Sequence, residues 1–283
     1  MTAGGAVREG LETASRGGKA RGLLARCGLV TRGLLYVLVG VLAVRVAFGV
    51  SSGEADRTGA MEELAEKPFG GFLVWAVGIG LVCMTLWRLS EAALGASGPD
   101  GHKPGKRLAA AARAVFYGVA AFSVLSFAAG TGGGGGGGGG GQSGDEQSRD
   151  VTARVLDVPG GPWWVAVVGV GIAIGGVVIA VQAARRKFRK HLAMNRQPEG
   201  VRKAVEFLGV VGGVARGTVF AAAGGFALHA ALSYDPAKAK GVDDTLRAFT
   251  QTPAGPWLLV VVAVGLVLFG LFSWAMACWR DDV

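Results

Sequence analysis

The chain has little charge for its length. Of 283 residues, 17% are Asp, Glu, Lys or Arg, whereas a soluble domain of this size carries about 25%. Side chains that commonly do chemistry are also scarce. The three cysteines, Cys27, Cys83 and Cys278, follow no metal or redox spacing and are read as free and structural. The three histidines, His102, His191 and His229, stand far apart, and none has a ligand partner at i+3 or i+4. There is no His-Glu-x-x-His and no Walker lysine. Carboxylates fall almost wholly outside the apolar runs. These absences predict a chain without catalytic chemistry, metal or cofactor. A secretory signal is also missing: the first apolar run starts only near Leu23, is broken by Arg26 and Arg32, and has no small-x-small cleavage site.

What is present is apolar sequence in long blocks. Mean hydropathy is +0.44. Neither Pro159 to Ala184 nor Pro253 to Trp279 contains a charge. At 1.5 Å per helical residue, such runs cross the ~30 Å hydrocarbon layer of a bilayer. Six spans are predicted, near residues 25–48, 69–90, 108–129, 160–184, 205–232 and 254–279, giving an all-α integral membrane protein. The formal net charge of +9 would suit nucleic acid, but its placement argues otherwise. With span ends counted in their links, 21 of the 29 lysines and arginines lie on the side of the two chain ends and the 88–113 and 185–216 links, and 8 on the other. Cytoplasmic loops retain Lys and Arg, so both termini are expected in the cytoplasm and no nucleic-acid partner is implied.

Taken in order, residues 1–22 read as a flexible basic tail. Repeat unit one covers 23–98. Its first span has only twelve uncharged residues between Arg32 and Arg45, so these arginines must snorkel or face protein. Residues 58–64 read as a short capped helix on the outer surface. Unit two covers 107–190 and includes a glycine-rich outer tether at 131–147, with ten consecutive glycines from Gly132 to Gly141. Unit three covers 201–280. The cluster Arg185, Arg186, Lys187, Arg189 and Lys190 marks the inner side and suits anionic lipid; a solvated helical extension explains it as well.

The three units share two registers. Four residues before Arg32, Arg113 and Arg216 stand Gly28, Ala109 and Gly212; four after stand Tyr36, Tyr117 and Phe220; eight after stand Gly40, Ala121 and Gly224. This stripe lies on one helical face. Thirteen residues after the arginines come Arg45, Ser126 and His229, all polar. The even spans align on Pro68, Pro159 and Pro253. Two residues later come Gly70, Gly161 and Gly255; ten later Gly78, Gly169 and Ala263; twelve later Gly80, Gly171 and Gly265. Small residues let membrane helices approach closely. Each unit crosses twice, so the units are parallel helical hairpins related about the membrane normal, with a pseudo-threefold arrangement. Mitochondrial carriers share that plan, but their proline–acidic–basic signature is missing and no odd span contains proline.

The motifs Arg32-Gly-Leu-Leu-Tyr36, Pro68-Phe-Gly70 through Gly80-Leu81, Trp87-Arg88 and their copies resemble an uncharacterised bacterial membrane family, domain of unknown function twelve-oh-six. The resemblance spans the chain apart from the N-terminal tail and the polyglycine run. It implies three two-helix units in a bacterial inner membrane and lends no activity.

Two functional readings follow. In one, the protein is a structural or accessory membrane component. Its arginines serve topology, and its glycines Gly70, Gly78, Gly80, Gly161, Gly169, Gly171, Gly255 and Gly265 pack helices, within the bundle, against a partner protein or in a homo-oligomer. In the other, Arg32, Arg113 and Arg216 line the cytoplasmic end of a small-solute or anion path. Glu91 partners one of them, and Arg45, Ser126 and His229 form an outer polar ring.

Overall fold

A computed structural model describes residues 3–49, 55, 57–95, 103–130, 144–192, 197–250 and 255–279. The polyglycine run, His102 and Pro253 lie outside the described residues. The described chain is helical, without strands: α1 (Ala3–Ala47), α2 (Arg57–Ala65), α3 (Gly70–Leu94), α4 (Pro104–Ala128), α5 (Gly144–Leu156), α6 (Gly161–Ala184), α7 (Glu199–Ser233), α8 (Val242–Thr250) and α9 (Gly255–Trp279). Many of the apolar residues are β-branched, which favours strands in water. In hydrocarbon every backbone N–H and C=O must be satisfied within the segment, so the helix wins. Helices α1, α3, α4, α6, α7 and α9 are long and apolar enough to span a bilayer, and all six coincide with the predicted spans.

Residues 1–22 were expected as a flexible tail. From Ala3 they instead continue α1. No proline interrupts the chain before Pro68, and Glu12 and Arg16 stand at a helix-favouring i,i+4 spacing. Once the apolar part has nucleated the helix, propagation costs little.

The short helix expected over 58–64 is present as α2. It has counterparts in α5 and α8, and α2 and α5 end three residues before the proline of their unit, at Ala65 and Leu156. Each unit is therefore a span, a connecting helix on the side expected to be outer, and a second span. The glycine two residues after the proline makes the corner. Gly70 N–H donates to Lys67 O at 2.8 Å and Gly161 N–H to Val158 O at 2.7 Å. A Cβ on Gly70 would overlap the Ala65 carbonyl, and one on Gly161 the Val155 carbonyl. In the third copy Gly255 has φ +53°, the left-handed region that glycine adopts without strain. These three glycines join spans to outer helices rather than span to span.

The outer layer is tied across units. The buried Asp243 of α8 accepts the Ala55 N–H of unit one at 2.7 Å and the Arg247 Nε–H at 2.6 Å. Thr245 and Leu246 beside it are fully buried, and Arg149 of α5 pairs with Asp244.

Around the axis the spans follow the order α6, α7, α9, α1, α3, α4. The tightest pairs are α6–α7, α9–α1 and α3–α4, each joining the even span of one unit to the odd span of another; α7–α9 and α1–α3 pack within units. Lipid tails are as apolar as leucine, so close backbone approach, not water exclusion, holds these pairs. The three inter-unit contacts are copies of one another. A Cβ on Gly78 would meet Leu125 at 2.5 Å, one on Gly169 the Leu228 N at 2.8 Å, and one on Gly40 the Ala263 carbonyl at 2.8 Å. That shared register is the pseudo-threefold.

Candidate functional site

The arginine register brings two of its three members into the interior. Arg32 on α1 is 7% exposed. Its Nε–H donates to Ser273 Oγ on α9 at 3.1 Å, its Nη2 reaches Met276 Sδ at 3.9 Å, and its guanidinium lies 5.1 Å from the Phe269 ring centroid. Ser273 Oγ–H in turn donates to Phe269 O at 2.9 Å, so the chain of donors is complete. Arg216 on α7 lies over three rings, with Tyr36, Phe220 and Phe269 centroids at 5.5, 5.3 and 4.9 Å. Tyr36 and Phe269 meet edge to face at 4.8 Å between them. Cation–π contacts of this kind contribute roughly 0.5–2 kcal/mol each, more when desolvated. They replace part of the hydration a buried guanidinium loses. Trp274 Nε1–H donates to Val30 O at 2.9 Å and fixes α9 against α1 beside this contact.

The third member behaves differently. Arg113 on α4 is exposed and has no ion pair or hydrogen bond among the described residues. It lies within electrostatic range of Arg88, Arg216 and Glu91. Glu91, expected to partner one of the three, forms an ion pair with Arg88 on its own helix at 2.6 Å and lies within electrostatic range of Arg113. Arg88 also stacks on Trp87 at 4.0 Å.

The repeat explains these differences. Twenty residues after each proline stand Arg88, Ile179 and Ser273. Ser273 serves Arg32 across the α9–α1 interface. At the equivalent α6–α7 interface the position is Ile179, which cannot accept, and Arg216 Nε is buried without a hydrogen-bond partner among the described residues. At α3–α4 the position is itself an arginine. Ile179→Ser is therefore expected to stabilise the protein by ~1 kcal/mol relative to Ile179→Ala. Thermal unfolding in detergent reads the difference.

At the outer end, Arg45, Ser126 and His229 share a register but not an environment. Arg45 is held by Glu63 of α2 at 2.8 Å, His229 is exposed and Ser126 is half-buried. Lys67 at 2.6 Å, and then Arg45, hold the Glu63 carboxyl below its ordinary range. A depressed native pKa adds stability above the unfolded pKa, and that stability is lost as pH falls through the lower native value. Glu63→Gln should accordingly flatten the acid side of the melting-temperature profile, below the ordinary carboxylate pKa, and leave the neutral side nearly level.

The basic cluster after α6 is partly neutralised. Arg186 and Arg189 both reach Glu206, each at 3.2 Å. Arg185 and Lys187 are exposed without an ion pair among the described residues. The Lys190 side chain lies outside the described residues.

The packing glycines divide in a way the sequence did not reveal. Gly80 sits against Thr31 and Gly265 against Ala215, both within their hairpins, while Gly78 and Gly169 serve the inter-unit contacts. Gly171, in the same register as Gly80 and Gly265, has nothing among the described residues within 4 Å of where a Cβ would be. Gly175 is likewise open, although its counterparts Met84 and Phe269 meet Gly28 and Gly212. Among the described residues, the hairpin contact of units one and three is missing from unit two, where α4 and α6 share no more than marginal contact. Neighbouring residues agree. Val77 and Val262 are 2% and 5% exposed, while their counterpart Val168 is 57% exposed. The ring is thus a horseshoe, with a seam between α4 and α6 where the longest outer link connects them.

Comparison with known proteins fits this triplicate layout. The family model described as Domain of Unknown Function (DUF1206) matches three times, at residues 27–95, 108–186 and 211–280. The chain is 28% identical over 250 residues to "Uncharacterized protein YxxB" of Bacillus subtilis (strain 168), a match covering 88% of this chain and 87% of that protein. No solved structure matches. The three family segments take in each arginine-headed span with its proline-headed partner and cover most of the sequence, so the chain belongs to the family described as Domain of Unknown Function (DUF1206).

Proposed function

We propose that this protein is a non-catalytic structural or accessory component of the bacterial cytoplasmic (inner) membrane, with both chain ends in the cytoplasm. The observation that carries the reading is the state of the centre at arginine depth. Arg32 is spent on Ser273, Met276 and Phe269, and Arg216 on three aromatic rings. A guanidinium engaged with neighbouring side chains holds helices together, whereas one lining a path is solvated or carries its solute. The excess of lysine and arginine at the end holding both termini supports the orientation.

Topology is tested with reporter tags at each end and in the 235–250 link. Termini on opposite faces would remove the assignment. Function is tested by an ion and metabolite flux screen in liposomes, beside co-purification from native membrane. The expected result is no flux above empty vesicles and a stoichiometric membrane partner.

A second reading, an anion path, is favoured by one feature. Arg32 and Arg113 each lie within electrostatic range of Arg216, and the nearby Glu91 pairs with a fourth arginine, Arg88. Anion flux lost in Arg113→Ala would establish this reading and displace the first.

A further inference from the structure

We infer that the α4–α6 seam is a binding site for one anionic phospholipid, its phosphate at Arg113 and its acyl chain along the open face of α6. The inference draws on the reading above only in placing the chain in a bilayer with its basic end at a headgroup layer. It does not depend on whether the protein is accessory or conducts anions.

Three observations define the occupant. First, the seam is a vacated protein interface. In units one and three the face nine, twelve, thirteen, sixteen and nineteen residues after the proline is covered by the odd span of the same unit. In unit two it presents Val168, Gly171, Ile172, Gly175 and Val178, with the three branched residues 57%, 39% and 43% exposed. The opposing face of α4 offers Ala112 and the 55%-exposed Phe116. Two small notches between branched side chains make a narrow apolar channel, suited to a hydrocarbon chain.

Second, the seam is basic at one end only. Arg113 stands about two turns inside α4. The mouth is flanked by exposed Lys103 and Lys106 at the start of α4 and by exposed Arg185 and Lys187 beyond α6. The occupant must therefore carry negative charge at headgroup depth and be apolar below it.

Third, the charge disfavours a second copy of the chain. Copies sharing one orientation in the membrane would bring Arg113 and both basic mouths together at equal depth, where like charges in low dielectric repel. An anionic phospholipid adds negative charge to this basic end, where Glu91 already pairs with Arg88, and fills the hydrocarbon part together.

The test is native mass spectrometry of the full chain released from nanodiscs of mixed phosphatidylglycerol and phosphatidylcholine. The expected result is retention of one phosphatidylglycerol in preference to phosphatidylcholine. Retention should fall roughly fivefold in Arg113→Ala, as for one basic residue at a membrane surface, and fall also in Gly175→Leu, which fills the channel. Gly71→Leu, on an exposed face of α3 with nothing within 4 Å, is the matched control and should retain lipid as the wild type does. Unfolding curves for each variant verify that the fold is intact. Equal retention of the two lipids, or retention unchanged in both variants, overturns the proposal. Release by millimolar inorganic phosphate would show a site for the free anion and not the lipid. A cross-linked dimer or a partner helix through residue 116 or 172 would show a protein occupant. Both outcomes also overturn it.

Discussion

Gly265→Leu will destabilise the protein and Gly171→Leu will not, although the two glycines occupy the same register of the same repeat. A Cβ on Gly265 would overlap the Ala215 Cβ, which is fixed to the α7 backbone and cannot swing away. The larger side chain must push α7 from α9, and overpacking of this kind costs ~1–3 kcal/mol. A Cβ on Gly171 meets nothing within 4 Å. There the substitution replaces the helix-weakening glycine with a good helix former and should be neutral or gain up to ~1 kcal/mol. Thermal unfolding in one detergent would separate the pair by several degrees. Equal loss in both variants would mean that the seam is closed and unit two is packed like the others.

Arg32→Ala will unfold the protein at markedly lower temperature than Arg113→Ala. Removing Arg32 empties a buried site beside Phe269 and forfeits the bond to Ser273, although Ser273 keeps its own acceptor, Phe269 O. The cavity and the lost charge-assisted bond together cost ~2–4 kcal/mol. Arg113 is exposed and unpaired among the described residues, so its removal should cost less than ~0.5 kcal/mol. Arg32→Met is the informative companion. Replacing a buried charge by an apolar side chain of similar length is often near neutral. Near-native stability for Arg32→Met would assign Arg32 a packing role. A loss as large as in Arg32→Ala would show that the charge itself is required.

Much of the architecture was legible in the residues. Spans follow from uncharged runs and the hairpin repeat from two registers that agree three times over. The outer helix was readable in unit one, where residues 58–64 carry helix signals. Its copies were missed because α5 borders the polyglycine run and α8 follows a short 3-10 turn at Pro236–Lys238, both of which read as loop. The signal that could have found them was the repeat itself, which places a segment before each unit's proline in the register of residues 58–64. Gly70, Gly161 and Gly255 were read as packing positions between spans, because composition alone does not distinguish a corner glycine from a contact glycine.

The sequence by itself determined a membrane solvent, six crossings and a threefold repeat, because these depend on the length and period of apolar runs, which are properties of each segment alone. The tertiary structure decided what each copy of the repeat does. It buried Arg32, stacked Arg216 on aromatic rings and left Arg113 at the surface; it closed two hairpins and opened the third. Identical registers diverged because a contact needs a neighbour that arrives. Six helices held by five close interfaces leave one edge unmatched, and no single segment records which edge that will be.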